Sequence, residues 1–194
     1  SYIDTMTAFG AIFLILFLIM FIRARNIDEK SEKLINSWNL SRTEFEKLNA
    51  QPEIDTIFGG IKLTLAEKIL FKINSAEISD TGIALINHLS DILIKFIKNN
   101  YQYKDAFRIT IGGHTDLSGS DEINFPLSYR RAYNVSSIIK DKFSKRGLQS
   151  ENVVPIGYGS KYLRENILNP FDYRHRRITI VIQLLSNELL RDKN

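Results

Sequence analysis

Cysteine is absent from the 194 residues, which excludes disulfides and thiol chemistry and is compatible with either side of a bacterial membrane. Histidine is scarce: His88, His114 and His175 are too few and too scattered for the spacing of metal ligands. His88 reads as an ordinary polar residue of a helix, and His114 as a hydrogen-bonding group rather than a base. Neither Gly59-Gly60 nor Gly112-Gly113 is followed by Gly-Lys-Ser/Thr, so no phosphate loop is present, and no serine or threonine lies in a nucleophile motif. An enzyme is not expected, and no cofactor or metal is implied. The net charge of +4 and pI of about 9.2 are too mild to argue for nucleic acid, and no dense Lys/Arg run would track a phosphate backbone. Internal repeats and low-complexity segments are also missing.

What is present begins with an apolar run. Residues 5–22 are about eighteen uncharged, mostly apolar positions headed by one carboxylate, Asp4, and the helix they would form spans roughly 27 Å, close to the hydrocarbon thickness of a bilayer. A signal peptide would carry its basic residues ahead of the run, whereas Arg23 and Arg25 follow it. The expectation is a retained transmembrane helix over residues 1–22. Asp4 has two readings. At the aqueous end of the helix it would merely complement the helix dipole; at a buried helix interface it would be an ionisable group with a function. Asp4, Thr7, Ala8 and Ala11 share one face of small or weakly polar residues, and such faces turn toward other helices in lipid.

Residues 23–56 read as a helical connector. Ser41-Arg42-Thr43-Glu44 has the form of a capping box, with Leu40 and Phe45 placed as a hydrophobic staple, and Pro52 lies beyond the expected helix end. Residues 57–185 read as one α+β domain, with helices on one face of a sheet. Ile61, Leu63 and Leu65 alternate with Lys62, Thr64 and Ala66 as a strand; Ser79 and Asp80 open a helix to about Lys98 with Ile86, Leu89, Leu93, Phe96 and Ile97 as its stripe. Phe107, Ile109 and Ile111 form a second strand ending at Gly112-Gly113. A further helix has Pro126 in its first turn, Ala132, Val135, Ile138, Ile139 and Phe143 on its inner face, and Gly147 as its stop. Residues 153–156 are a short strand, Ile178, Ile180, Ile182 and Leu184 the last one, and residues 186–194 a tail.

Two resemblances attach to these residues. Tyr2-Ile3-Asp4-Thr5-Met6-Thr7-Ala8, with Phe13-Leu14, resembles the Tyr-Ala-Asp-(Phe/Leu)-Met-Thr-Ala signature of the MotB family of ion-driven stator subunits, a motif shared by Zorya B anti-phage proteins. Gly113-His114-Thr115-Asp116, then Asn124-x-x-Leu127-Ser128-x-x-Arg131-Ala132, Gly157-x-Gly159 and Arg176-Arg177-Ile178 resemble the OmpA-like peptidoglycan-binding domain, with His175 standing where that pattern has Asn. The first resemblance implies that Asp4 carries protons, that a polytopic MotA-like or Zorya A protein rings two copies of this chain, and that the chain sits in the bacterial inner membrane with residues 57–185 in the periplasm. Arg23 and Arg25, taken alone, favour the opposite orientation. The second implies a peptidoglycan stem peptide as ligand, held by Asp116, Arg131, Thr115, Asn124, Leu127 and Arg176.

A diaminopimelate end carries an ammonium and a carboxylate on one carbon; Asp116 would accept from the first and the planar fork of Arg131 would hold the second. The other reading of Asp116 and Arg131 is an internal salt bridge. Flagellar MotB proteins usually carry a longer segment, including a plug, between membrane helix and binding domain than residues 23–56 provide, which favours the Zorya B type over the flagellar one. A passive OmpA-like envelope anchor, with Asp4 only a helix-end residue, is the remaining alternative.

Overall fold

The computed structural model describes residues 14–18, 20–21, 42–48, 51–55, 60–72, 75–100 and 107–184. Asp4, most of the connector and the expected tail lie outside the described residues. Residues 14–18, 20 and 21 are helical with exposed apolar side chains, and Phe17 and Phe21 stack with ring centroids 6.5 Å apart. Among the described residues no helix is long and apolar enough to cross a membrane.

The domain is a five-stranded mixed sheet with helices. Strands β1 (Gln51–Asp55) and β2 (Gly60–Ala66) lead through the short helix α1 (Glu67–Leu70) to α2 (Asp80–Asn99), then β3 (Phe107–His114), α3 (Asp121–Lys145), β4 (Val153–Gly157) and β5 (Arg177–Leu184). The strand order is β1-β2-β5-β3-β4; only β3 and β4 run parallel, joined by α3, and the other neighbours are antiparallel. The last strand thus inserts between β2 and β3, which is why its apolar alternation is strict: Ile178, Ile180 and Ile182 are buried against Leu63, Leu65, Ile109 and Ile111.

The helices form where their apolar stripes require. Ser79 caps α2 by accepting from the Gly82 amide at 3.0 Å, and Ile86, Leu89, Leu93, Phe96 and Ile97 are all buried, each contributing about 1.5–3 kcal/mol of hydrophobic stabilisation. Helix α3 buries Ala132, Val135, Ile139 and Phe143 and packs Ile138 against the same core. It ends in a Schellman motif: Leu148 N–H donates to the Phe143 carbonyl and Gly147 N–H to that of Ser144, with Gly147 at φ +69°.

Two expectations change. Pro126 lies inside α3 rather than in its first turn, because the helix starts at Asp121 with the Ser120 carbonyl accepting from Ile123 and Asn124; the proline then removes one early amide only. Gln51–Asp55, expected in the connector, pairs with β2 as an edge strand, the position that tolerates Pro52. Residues 42–46 are helical, and Phe45 is fully buried in the domain core, with Glu44 bonded to Lys95 at 2.9 Å. The helix expected after the capping box is therefore part of the domain's packing.

Candidate functional site

Strand register brings the polar motifs to one end of the sheet. Ala66 pairs with Arg177 and His114 pairs with Arg177 from the other side, so the residues just beyond β2 (Glu67), just beyond β3 (Thr115, Asp116) and just before β5 (Arg176) are neighbours. Gly157 at the end of β4 and the first half of α3 complete the rim. Two glycines set how closely α3 approaches. A Cβ at Gly113 would run into the Ser128 carbonyl, and one at Gly157 would lie 2.8 Å from Tyr129 Cβ. Ser128 then spans the gap, accepting from Gly159 N–H at 2.9 Å and donating to the Phe125 carbonyl at 2.8 Å.

Four charged side chains form a chain of contacts. Arg131, only 3% exposed, donates from Nη2 to Glu67 Oε1 at 2.6 Å, and from Nε and Nη2 to the Ser75 carbonyl at 3.0 and 2.9 Å. Its guanidinium also lies over the Phe71 ring, 5.3 Å from the centroid. Glu67 Oε2 faces Arg176 Nε at 3.2 Å, a charge contact without hydrogen-bond alignment, and Arg176 Nη1 reaches Asp116 Oδ2 at 3.3 Å. Two cations and two carboxylates thus give a locally neutral cluster. Burial pulls the Arg131 guanidinium below its ordinary pKa, with Glu67 opposing that shift. The expected alternative, a direct Asp116–Arg131 bridge, is replaced by two pairs with other partners: Arg131 with Glu67, Asp116 with Arg176.

Asp116 is buried, and its Oδ1 accepts from Ser118 N–H at 3.0 Å. Asn124 donates to the carbonyls of Asp116 and Gly119 at 3.1 and 2.7 Å, so its amide holds the 116–119 loop. Thr115 is anchored by its backbone, N–H to the Gly159 carbonyl at 2.9 Å, while its buried Oγ1 has no hydrogen-bond partner among the described residues. Leu127 is half-buried one turn before Arg131 and offers apolar contact only. Arg176 and Arg177 part company: Arg176 joins the cluster, whereas Arg177 donates to the carbonyls of His175 and Tyr162 at 2.8 and 2.9 Å. His175, fully buried, accepts from Arg164 N–H at Nδ1 (3.0 Å) and donates from Nε2 to the Asn169 carbonyl (2.8 Å), which fixes its neutral tautomer and meets the local hydrogen-bonding demand.

Glu67 and the Ser75 carbonyl are the members that motif reading does not reveal. His114 stacks on Tyr158 at 4.9 Å and bonds through Nε2 to Thr179 Oγ1 at 3.1 Å, the hydrogen-bonding part expected of it. No group of His, Cys, Asp and Glu side chains suited to a metal occurs among the described residues.

A mixed sheet with its β3–α3–β4 unit and a buried acid–arginine cluster at the strand ends defines an OmpA-like domain. Residues 70–167, just over half of the sequence, match the OmpA family, and the chain belongs to that family. Among curated relatives, peptidoglycan-binding protein ArfA of Mycobacterium tuberculosis is 36% identical over 76 residues, 39% of this chain and 22% of ArfA, so the chain spans about a fifth of that relative's length. Among solved structures, a MotB-like protein of Desulfovibrio vulgaris matches with a TM-score of 0.60 at 21% identity, covering 81% of this chain and 95% of that one. The cell wall anchor of the type VI secretion system of Pseudomonas aeruginosa matches at 0.54 and 19% identity, covering 74% and 93%. These structural likenesses establish the fold.

Proposed function

We propose that the domain binds the peptidoglycan stem peptide and holds its host complex to the cell wall. The observation that carries this reading is the neutral cluster at the sheet end, in which a buried carboxylate, Asp116, and a buried arginine, Arg131, are linked through Arg176 and Glu67, with the buried Thr115 hydroxyl, next to Asp116 in sequence, lacking a hydrogen-bond partner among the described residues. A zwitterionic amino acid end suits such a cluster, because it brings one charge of each sign and leaves the total unchanged. Asp116 accepts from the ammonium, Arg131 takes the carboxylate, and Thr115 supplies a hydroxyl; Asn124 positions the Asp116 loop, Arg176 orients the Asp116 carboxylate, and Leu127 lines the approach. ArfA, whose name states peptidoglycan binding, supports the ligand class.

For the whole chain we infer the role of an ion-driven stator subunit of the Zorya B type, in the bacterial inner membrane with this domain in the periplasm. Asp4 is its proton carrier, and two copies sit within a ring of a MotA-like polytopic partner. A flagellar MotB role shares this mechanism and differs in its partners. The test of the binding reading uses isolated sacculi and a soluble diaminopimelate-terminated tripeptide. Asp116→Asn and Arg131→Lys are expected to weaken binding tenfold or more while the variants remain folded, since Lys cannot reproduce the planar fork. Undiminished binding in both would rule the reading out.

A further inference from the structure

We propose that Glu67 is a built-in competitor for the ligand's carboxylate, occupying the Arg131 fork in the unliganded domain and leaving it when the stem peptide binds. The inference rests on the stem-peptide reading of the site and adds how access to that site is regulated. Arg131 has one edge, Nε with Nη2, held by the Ser75 carbonyl, and its Nη2 is shared with Glu67 Oε1 at 2.6 Å. Nη1 makes no hydrogen bond with the described residues. An incoming carboxylate can therefore seat bidentately on Nη1 and Nη2 only where Glu67 Oε1 now contacts Nη2.

Glu67 is poorly settled in that role by comparison with a purely structural counter-ion. Its Oε2 is buried without a hydrogen-bond partner among the described residues, and its contact with Arg176 is not aligned as a hydrogen bond. Buried carboxylate oxygens in a structural ion pair are normally satisfied, so the ligand-free arrangement leaves Glu67 something to gain by swinging out to water. Its side chain retains 15% exposure at the rim, against 4% for Arg131, so Glu67 is the member of the pair nearer to solvent. At Arg131 the exchange is like for like, one carboxylate leaving as another arrives, while Arg176, which loses its Glu67 contact, has a side chain 40% exposed to water.

The consequence is an affinity lowered by the fraction of molecules in which the fork is free. The test is calorimetric titration of the full chain in detergent with the diaminopimelate-terminated tripeptide. Glu67→Gln is expected to bind about tenfold tighter if the fork is free in about a tenth of wild-type molecules. Because Glu67→Gln leaves two guanidiniums facing one carboxylate and could unfold the site, Glu67→Asp is the second variant. It keeps the charge but withdraws the carboxylate by about 1.5 Å, one carbon–carbon bond, and is expected to tighten binding in the same direction. Wild-type binding that is unchanged or weakened in both variants overturns the competitor role while leaving the stem-peptide site intact. A wild-type chain that binds no tripeptide at all overturns the site reading and, with it, the role of Glu67.

Discussion

His114 closes β3 with 6% of its surface exposed, between Tyr158 and Thr179, and its surroundings hold the ring neutral: burial first, then the charges of Arg177 and Lys62, push its pKa from 6.5 down to about 3. The unfolded chain takes up a proton as pH falls through 6.5, whereas the folded chain does not until about 3. Stability is therefore lost progressively across that window, at about 1.4 kcal/mol per pH unit. Urea unfolding at pH 7.5 and pH 5 should show about 2 kcal/mol of loss from this one group, and His114→Gln should abolish that part of the difference. An equal loss in the variant would show that the proton goes elsewhere. His114 was legible because it sits in an ordered motif, as do Thr115, Asp116, Asn124 and Arg131. Glu67 was not. It is 64 residues from its partner Arg131, on a four-residue helix too short to show a period, and only the Ala66–Arg177 register places it beside Arg176. Asn124 was legible as a candidate, but its bonds to the Asp116 and Gly119 carbonyls belong to a loop whose shape no spacing reveals.

At the scale of elements, two glycines on α3 and its neighbour strand make different demands. Gly147 ends α3 at φ +69°, and a Cβ there would meet nothing within 4 Å, so Gly147→Ala carries a conformational cost alone, about 1 kcal/mol. Gly113 has ordinary dihedrals, but a Cβ would meet the Ser128 backbone, which cannot move without parting α3 from β3. Gly113→Ala is expected to cost more than about 3 kcal/mol, in the class of overpacked cores. Thermal unfolding of the two variants side by side checks this; equal shifts would contradict the close approach. The elements that sequence reading placed well are those with a sustained period: the α2 stripe, the inner face of α3, and the isoleucines of β5. β1 escaped it. Five residues with Pro52 second carry no alternation, and the strand exists because β2 offers an unpaired edge. Phe45 fills the domain core, while Leu40, its expected staple partner, lies outside the described residues; burial is decided by what packs over a residue, not by its neighbours in sequence.

For the whole molecule, the proposed stator role would give the candidate site at the sheet end its purpose, because a motor needs a fixed point. A proton crossing 100 mV releases about 2.3 kcal/mol, which can bias a rotation step only if part of the complex is held still. In the stator reading, the OmpA-family domain supplies the fixed point and Asp4 the proton step, so the two halves should fail separately. Asp4→Asn keeps the size and polarity of the side chain and removes its charge. It is expected to abolish ion-dependent function in cells, while binding to sacculi and co-purification with the polytopic partner persist. Asp116→Asn is expected to do the reverse, weakening wall binding while the membrane assembly still forms. A passive anchor predicts a different pair of outcomes: Asp4→Asn without effect in cells, and a chain that purifies alone. Scoring co-purification, sacculus binding and cellular function for both variants separates the two accounts. Full function in the Asp4→Asn strain would remove the proton role and leave the proposed wall binding of the OmpA-family domain as the molecule's whole contribution.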